Sequence, residues 1–156
     1  MVHERIRGLG ARGVGLAELL VVVAILGLLT AIGVPYLISY WQASTLTAGA
    51  QELQTILNGA RQLAIRNNTS VCVTRNTTGI QYFTGGCAGT VWTGAATDAN
   101  GWITLANGVQ ITGATANVVF TYLGAASPAG QYTVKNPSNA QTLTVTVAAS
   151  GRVTIP

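Results

Sequence analysis

The sequence predicts an α+β fold in which one long N-terminal helix, membrane-spanning in its first half, packs on an antiparallel β-sheet domain. Three features predict this fold. Residues 19–38 carry no charge, apolar residues recur at helical spacing between residues 46 and 64, and after residue 69 the apolar period becomes two. A chain of 156 residues has room for one modest domain and such an anchor.

The uncharged run at residues 19–38 is long enough to cross a bilayer, because as a helix it spans roughly 30 Å. Glu18 lies at its N-terminal edge, where an unpaired carboxylate in lipid would cost on the order of several kcal/mol. Cleavage after Gly13 would leave a free amine at Val14, about one helical turn before Glu18. Neighbouring copies could then pair amine with carboxylate inside an assembly. The alternative is an ordinary signal anchor with a stray Glu near its end.

This N-terminal pattern resembles that of the type IV pilin superfamily. The shared features are a short basic leader, Gly13 before the cleavage site, Glu18 as the fifth residue of the mature chain, and an apolar helix behind it. The resemblance implies that residues 1–13 are a leader removed by prepilin peptidase. It also implies that residues 14–38 are the transmembrane and assembly half of the helix.

Pro35 is expected to kink or loosen this helix, because it lacks an amide hydrogen and clashes with the carbonyl four residues earlier. Gly27 and Gly33 lower helix stability nearby. By resemblance to pilins, residues 27–35 are the segment that can unwind when a subunit enters a filament. A compatible alternative is that these small residues pack helix against helix in the membrane.

A stripe of apolar residues predicts that the second half of the helix packs on a sheet. Its members alternate spacings of four and three: Leu46, Ala50, Leu53, Leu57, Ala60 and Ala64. Asn67 and Asn68 are poor helix formers, so the helix should end at about residue 67. By resemblance, residues 39–156 form the periplasmic pilin domain.

Eight short segments rich in Val, Ile, Thr and Tyr are predicted strands. They are residues 70–74, 80–84, 102–105, 109–112, 118–122, 131–134, 143–147 and 153–155. Asn107-Gly108 predicts a tight hairpin between the third and the fourth of these strands. Residues 85–100 and 113–117 are rich in Gly, Ala and Thr and are predicted loops.

The cations that precede the apolar run place the N-terminus in the cytoplasm and the rest of the chain beyond the membrane. The resemblance makes that membrane the bacterial inner membrane. Cys72 and Cys87 both follow the anchor and would lie in an oxidising compartment, so we predict a disulfide between them. Two free buried thiols are the alternative.

The second half of the chain resembles the GspH/FimT group of minor pilins and pseudopilins. The resemblance rests on residues 60–68, Cys72, Gly101-Trp102, Phe120 and Gly151-Arg152-Val153. It implies a structural subunit of the tip or priming complex of a type IV pilus or a type II secretion pseudopilus. The implied partners are other pilins or pseudopilins, the prepilin peptidase, the inner-membrane assembly platform and the lipid bilayer. A major pilin of the filament shaft is a weaker alternative.

The residues expected of an active site are missing from the sequence. The single histidine, His3, lies in the leader, and the three carboxylates that follow the leader show no pairing. The sequence therefore predicts no enzyme, no metal and no cofactor. Beyond the leader, five cations and three anions give a net charge of +2, out of +4 for the whole chain. A charge this small does not by itself indicate nucleic acid.

DNA capture during natural transformation is an alternative function that rests on Arg152. By resemblance, some DNA-binding members of the group carry a second Arg two places after the first, and the pair forms a fork for phosphate. Thr154 occupies that place in this sequence. Arg66, Arg75 and Lys135 could replace the missing Arg only if the fold brings them near. The other interpretation is an isolated, solvated Arg152.

Overall fold

The computed structural model describes residues 15–156, so the predictions for Gly13 and Val14 lie outside the described residues. A helix, α1, covers Leu16–Arg66. The strands that follow are β1 Val71–Arg75, β2 Gly79–Thr84, β3 Thr90–Val91, β4 Trp102–Thr104, β5 Gln110–Ala114, β6 Val118–Phe120, β7 Gly130–Lys135, β8 Thr142–Val147 and β9 Val153–Thr154. The predicted α+β fold, a long apolar N-terminal helix with antiparallel sheets, is confirmed.

The described residues divide into two units, the first ending at Ser39 and the second covering Tyr40–Pro156. In the described part of the first unit, the large apolar side chains are 48–79% exposed. An 18-residue window of α1 has a mean hydropathy of 2.5, so this helix is long and apolar enough to cross a membrane. Helical geometry continues through Gly27, Gly33 and Pro35.

In the second unit, α1 buries the predicted stripe. All six stripe residues are buried, and Gly49, Ile56 and Leu63 add a second buried row beside them. The phenol of Tyr82 in β2 donates a hydrogen bond to the carbonyl oxygen of Ile56. Strand residues of both sheets complete the core around this face, among them Phe120, Tyr132, Val134 and Val145.

Two antiparallel sheets pack with this helix face. The first has the strand order β3-β2-β1-β6, with β4 also paired to β2, and the second has the order β5-β7-β8-β9. In β8, the period of two predicted for the chain after residue 69 is present, since Val145 and Val147 are buried while Thr142 is exposed. From the strand order of the second sheet, β5 and β9 lie at its opposite edges.

The predicted hairpin at Asn107-Gly108 is wrong. Both residues have positive φ, 58° and 68°, as a tight turn requires. However, β4 pairs with β2 and β5 pairs with β7, so the turn carries the chain from one sheet to the other. Leu105 and Val109 on either side of the turn are both buried. Strand β3 was also missed, because it is a two-residue exposed edge inside a predicted loop.

The predicted disulfide between Cys72 and Cys87 is present, with their Cα atoms 4.9 Å apart. Cys72 is fully buried in β1, whereas Cys87 follows β2 in an exposed turn. The backbone of the same turn is held by Ser70, whose carbonyl oxygen accepts a 2.8 Å hydrogen bond from the Gly85 amide. The bridge thus fixes the end of the β1–β2 pair to the loop that leads to β3.

Candidate functional site

Glu18 lies in the first turn of α1 and is exposed. Its amide donates a 3.0 Å hydrogen bond to the carbonyl oxygen of Gly15, so the helix is already formed at this residue. A carboxylate in the first turn of a helix is stabilised by the helix dipole. The proposed partner amine, at Val14, lies outside the described residues, so the pairing stays a prediction.

Lys135 and Arg152 lie at opposite ends of the domain. The residue after Lys135 donates from its amide side chain to the carbonyl oxygen of Gln42, at 2.8 Å. The residue after Arg152 accepts at its carbonyl a 2.9 Å hydrogen bond from the side chain of Gln54. Along α1 these two contact points are about 18 Å apart. The fold therefore does not place Lys135 beside Arg152.

Arg75 and Arg66 are also directed elsewhere. The guanidinium of Arg75 donates to the carbonyl oxygen of Ile111 in β5, at 3.3 Å, and β5 is the sheet edge opposite Arg152. Arg66 lines a groove with Tyr82 and Trp92, on the side of α1 that faces the first sheet. Neither cation completes a pair with Arg152.

Arg61, which sequence reasoning missed, approaches the turn that carries Arg152. Its Nε donates a 2.8 Å hydrogen bond to the carbonyl oxygen of Gly124, and its guanidinium borders Gly151, the residue before Arg152. One signal existed in the sequence, because Gln54 and Arg61 are seven residues apart and share a helix face. The position of Gly124 next to that face depends on the whole fold.

Two turns meet at this point, residues 121–125 and residues 148–152. Gly124 and Gly151 have φ of 81° and 77°, which favours glycine. A Cβ at Gly151 would collide with the carbonyl oxygen of Gly124, so the turns touch backbone to backbone. We call the exposed side of this junction the turn surface; it consists of Arg61, Tyr122, Leu123 and Arg152, of which Arg61 is half-buried and the others exposed.

The sequence profile of the family described as Type II transport protein GspH matches residues 49–151. That stretch is well over half of the chain, and it runs from the buried half of α1 to the second of the two turns. The chain belongs to the GspH family. Among curated proteins, no sequence matches it significantly.

Solved structures share the fold of this GspH-family chain. The type IV minor pilin FimU of Pseudomonas aeruginosa superposes with a TM-score of 0.52 at 14% identity, covering 71% of this chain and 92% of FimU. The minor pseudopilin EpsH from the Type 2 Secretion System of Vibrio cholerae superposes with a TM-score of 0.54 at 12% identity, covering 71% of this chain and 95% of EpsH. At such identities the likeness shows the fold, which is that of type IV pilins.

The buried titratable groups of this GspH-family domain serve its packing. Burial raises the pKa of Tyr132 to about 12, and the amide of Val118 and the charge of Arg75 partly oppose that rise. Burial also raises the pKa of Tyr82. Among the described residues, no three His, Cys, Asp or Glu side chains come together as a metal site would require.

Proposed function

We propose that this chain is a minor pilin or pseudopilin, a structural subunit of the tip or priming complex of a type IV pilus or a type II secretion pseudopilus. The observation that carries the proposal is the contrast within α1. Its first half exposes every large apolar side chain, whereas its second half buries a stripe in the domain. An exposed apolar helix of this length requires lipid or the helices of neighbouring subunits as its surroundings.

The assembly step rests on Glu18. Prepilin peptidase would cleave after Gly13 and free the amine of Val14, and Glu18 of one subunit would neutralise that amine in its neighbour. The exposed position of Glu18 in the first turn of α1 supports this role. A carboxylate at the edge of the bilayer is costly to desolvate, and a neighbouring cation offsets that cost.

The subunit would be inserted in the inner membrane with its N-terminus in the cytoplasm and its domain in the periplasm, beside the assembly platform. The Cys72–Cys87 disulfide supports an oxidising location for the domain. Residues 27–35 would then lose helical structure on entering the filament, because Pro35 cannot donate a helical hydrogen bond and two glycines weaken the same stretch.

The test compares Glu18→Ala with Glu52→Gln in the full chain, expressed with the other subunits of its filament. We expect both variants to reach the membrane at the level of the parent. Only Glu18→Ala should be missing from sheared filaments, as detected by immunoblot. Normal incorporation of Glu18→Ala would contradict the proposed assembly role, and a Gly13→Glu variant that is still shortened would contradict the cleavage site.

DNA capture is the second candidate function, and the turn surface is the observation that favours it. Arg61 brings a second guanidinium to the junction that carries Arg152, and two cations bind a phosphate backbone better than one. Tyr122 offers an exposed ring in the same place, and nucleic-acid bases stack on such rings.

The DNA experiment uses a fragment of residues 40–156, which contains the whole buried core. Binding of single- and double-stranded DNA is titrated at several salt concentrations. If the turn surface binds DNA, affinity should fall steeply with salt and be lost in Arg152→Ala, while Lys135→Ala at the other end of the domain should bind normally. Absent or salt-independent binding would remove this function.

A further inference from the structure

No charged residue marks the point where the membrane span ends. Between Glu18 and Glu52 the chain contains neither acidic nor basic side chains. As a helix this interval is roughly 50 Å long, whereas the hydrocarbon core of a bilayer is about 30 Å thick. Charged residues therefore do not fix how deeply the helix lies in the bilayer, so another feature of the chain must fix this depth.

Large aromatic side chains are exposed within that interval. Tyr40 and Trp41 open the second unit with 63% and 67% of their surface accessible. Tyr36, in the first unit, is exposed as well. Aromatic rings that carry a hydroxyl or an indole N–H prefer the level of the lipid headgroups, where the ring is apolar on one side and wet on the other. From Glu18 to Tyr40 a helix is roughly 33 Å long, which suits a single crossing.

The domain itself begins directly after these rings. Asn136 donates to the carbonyl oxygen of Gln42 at 2.8 Å, and Asn139 donates to the side-chain oxygen of Gln42 at 2.9 Å. The loop at residues 136–141 is thereby fixed to the helix one residue beyond Trp41. Because this loop is polar and uncharged, it suits contact with headgroups and resists entry into hydrocarbon.

We propose that Tyr40 and Trp41 form an interfacial aromatic anchor that binds the phospholipid headgroup region and fixes the depth of the subunit. The inference rests on the membrane anchoring in the proposed function and adds the residues that define its register. Loss of the rings lets the helix shift deeper within the headgroup region, since the loop at residues 136–141 opposes only entry into hydrocarbon and the chain carries no charge between Trp41 and Glu52.

The first test measures that depth in the full chain, reconstituted in vesicles of phosphatidylethanolamine and phosphatidylglycerol. Ser44→Cys places a thiol one helical turn beyond Tyr40, and among the described residues both native cysteines are in the disulfide. A membrane-impermeant maleimide should label Ser44→Cys readily. When the Ser44→Cys chain also carries Tyr40→Leu and Trp41→Leu, its labelling rate should fall severalfold. Unchanged labelling would overturn the anchor.

Tyr122→Leu is the matched control, because it removes an exposed ring from the far end of the domain and should leave the labelling rate as it was. Flotation of the vesicles separates the two proposals. A chain that fails to float with lipid contradicts membrane anchoring itself. A chain that floats, yet labels equally with and without the rings, contradicts only the aromatic anchor.

The second test locates the indole of Trp41 directly, in a full chain carrying Trp92→Phe and Trp102→Phe. Lipids brominated at different depths quench tryptophan emission according to distance. The proposal expects the strongest quenching from bromines nearest the headgroup. Strongest quenching from the deepest bromines, or from acrylamide in the water alone, would overturn it.

Discussion

The side chain of Arg61 is bonded to the backbone of Gly124, across 63 positions of sequence, through a 2.8 Å hydrogen bond from Nε to the carbonyl oxygen. This bond joins the last turns of α1 to the turn at residues 121–125. Since that turn abuts the backbone of Gly151, the same bond also supports the segment that carries Arg152. The side chain of Arg61 therefore helps to hold the backbone that carries Arg152.

Arg61→Ala should lower the free energy of unfolding by about 1–2 kcal/mol, because the Gly124 carbonyl loses its partner and the arginine stem no longer covers the junction. Urea denaturation of the residue 40–156 fragment measures this loss. Arg66→Ala, at an exposed position of the same helix, is the control and should cost less than about 0.5 kcal/mol. Equal losses in the two variants would contradict a specific role for the Arg61 bond.

Gly49→Ala should destabilise the domain although alanine favours helix. In an open helix this change gains about 1 kcal/mol. Here a Cβ would come within 2.8 Å of both γ-carbons of Val109, which is buried. Overpacking of this kind costs about 1–3 kcal/mol.

A double-mutant cycle separates the two effects of Gly49→Ala. In a Val109→Ala background both γ-carbons are gone, and only the Cβ of residue 109 remains close, at 3.0 Å from the new Cβ. Gly49→Ala should therefore cost clearly less unfolding free energy in that background than in the parent, as measured by urea denaturation. Equal costs in both backgrounds would show that the γ-carbons of Val109 are not what excludes a side chain at Gly49.

Reduction of the Cys72–Cys87 bridge should cost about 3 kcal/mol, because the bridge closes a loop with a sequence separation of 15 and limits the unfolded chain. The measurement is the urea midpoint with and without reductant. The double variant Cys72→Ala/Cys87→Ala is the control. Its urea midpoint should equal that of the reduced parent and should not change when reductant is added. A loss below about 1 kcal/mol would contradict this estimate of the loop's contribution.

Alkaline pH should destabilise the domain through Tyr132. The pKa of its phenol is about 12 in the folded state and about 10 in the unfolded state, because burial disfavours the phenolate. Below pH 10 the phenol of Tyr132 is protonated in both states, so its titration takes nothing from the free energy of unfolding. Above pH 10 the unfolded chain loses its proton first, so stability falls by about 1.4 kcal/mol per pH unit until about pH 12.

Tyr132→Phe tests this assignment. Its unfolding free energy should decline less steeply than that of the parent between pH 10 and pH 12, with the buried phenol of Tyr82 accounting for part of the remaining slope. Below pH 10 the difference between variant and parent should not depend on pH, which serves as the internal control. If the unfolding free energies of variant and parent declined in parallel above pH 10, the loss of stability at alkaline pH would belong to other groups.

The parts of this fold that follow from the sequence are those encoded by local periodicity. The six stripe residues, beginning at Leu46, occupy one helix face, so their spacing alone identified the buried side of α1. Alternation in β8 likewise identified its buried face. The disulfide was predictable because only two cysteines exist and both follow the anchor.

The parts that did not follow depend on contacts between distant segments. Asn107-Gly108 gave the correct local dihedral angles, yet the strand partners on each side were decided by bonds such as that from the Leu105 amide to the Thr78 carbonyl. The nearness of Arg61 to the turn that carries Arg152 required two glycine turns to meet. The spacing of residues along the chain does not predict which distant segments meet in the fold.

The exposed apolar half of α1 also limits how the subunit can travel. Each of its large side chains is stabilised by about 1.5–3 kcal/mol when removed from water, so the described part of the first unit together gains on the order of tens of kcal/mol. A free aqueous subunit is therefore not an accessible intermediate. If the chain assembles as proposed, its transfer from bilayer to filament must therefore be direct, with lipid exchanged at the membrane for the helices of neighbouring subunits.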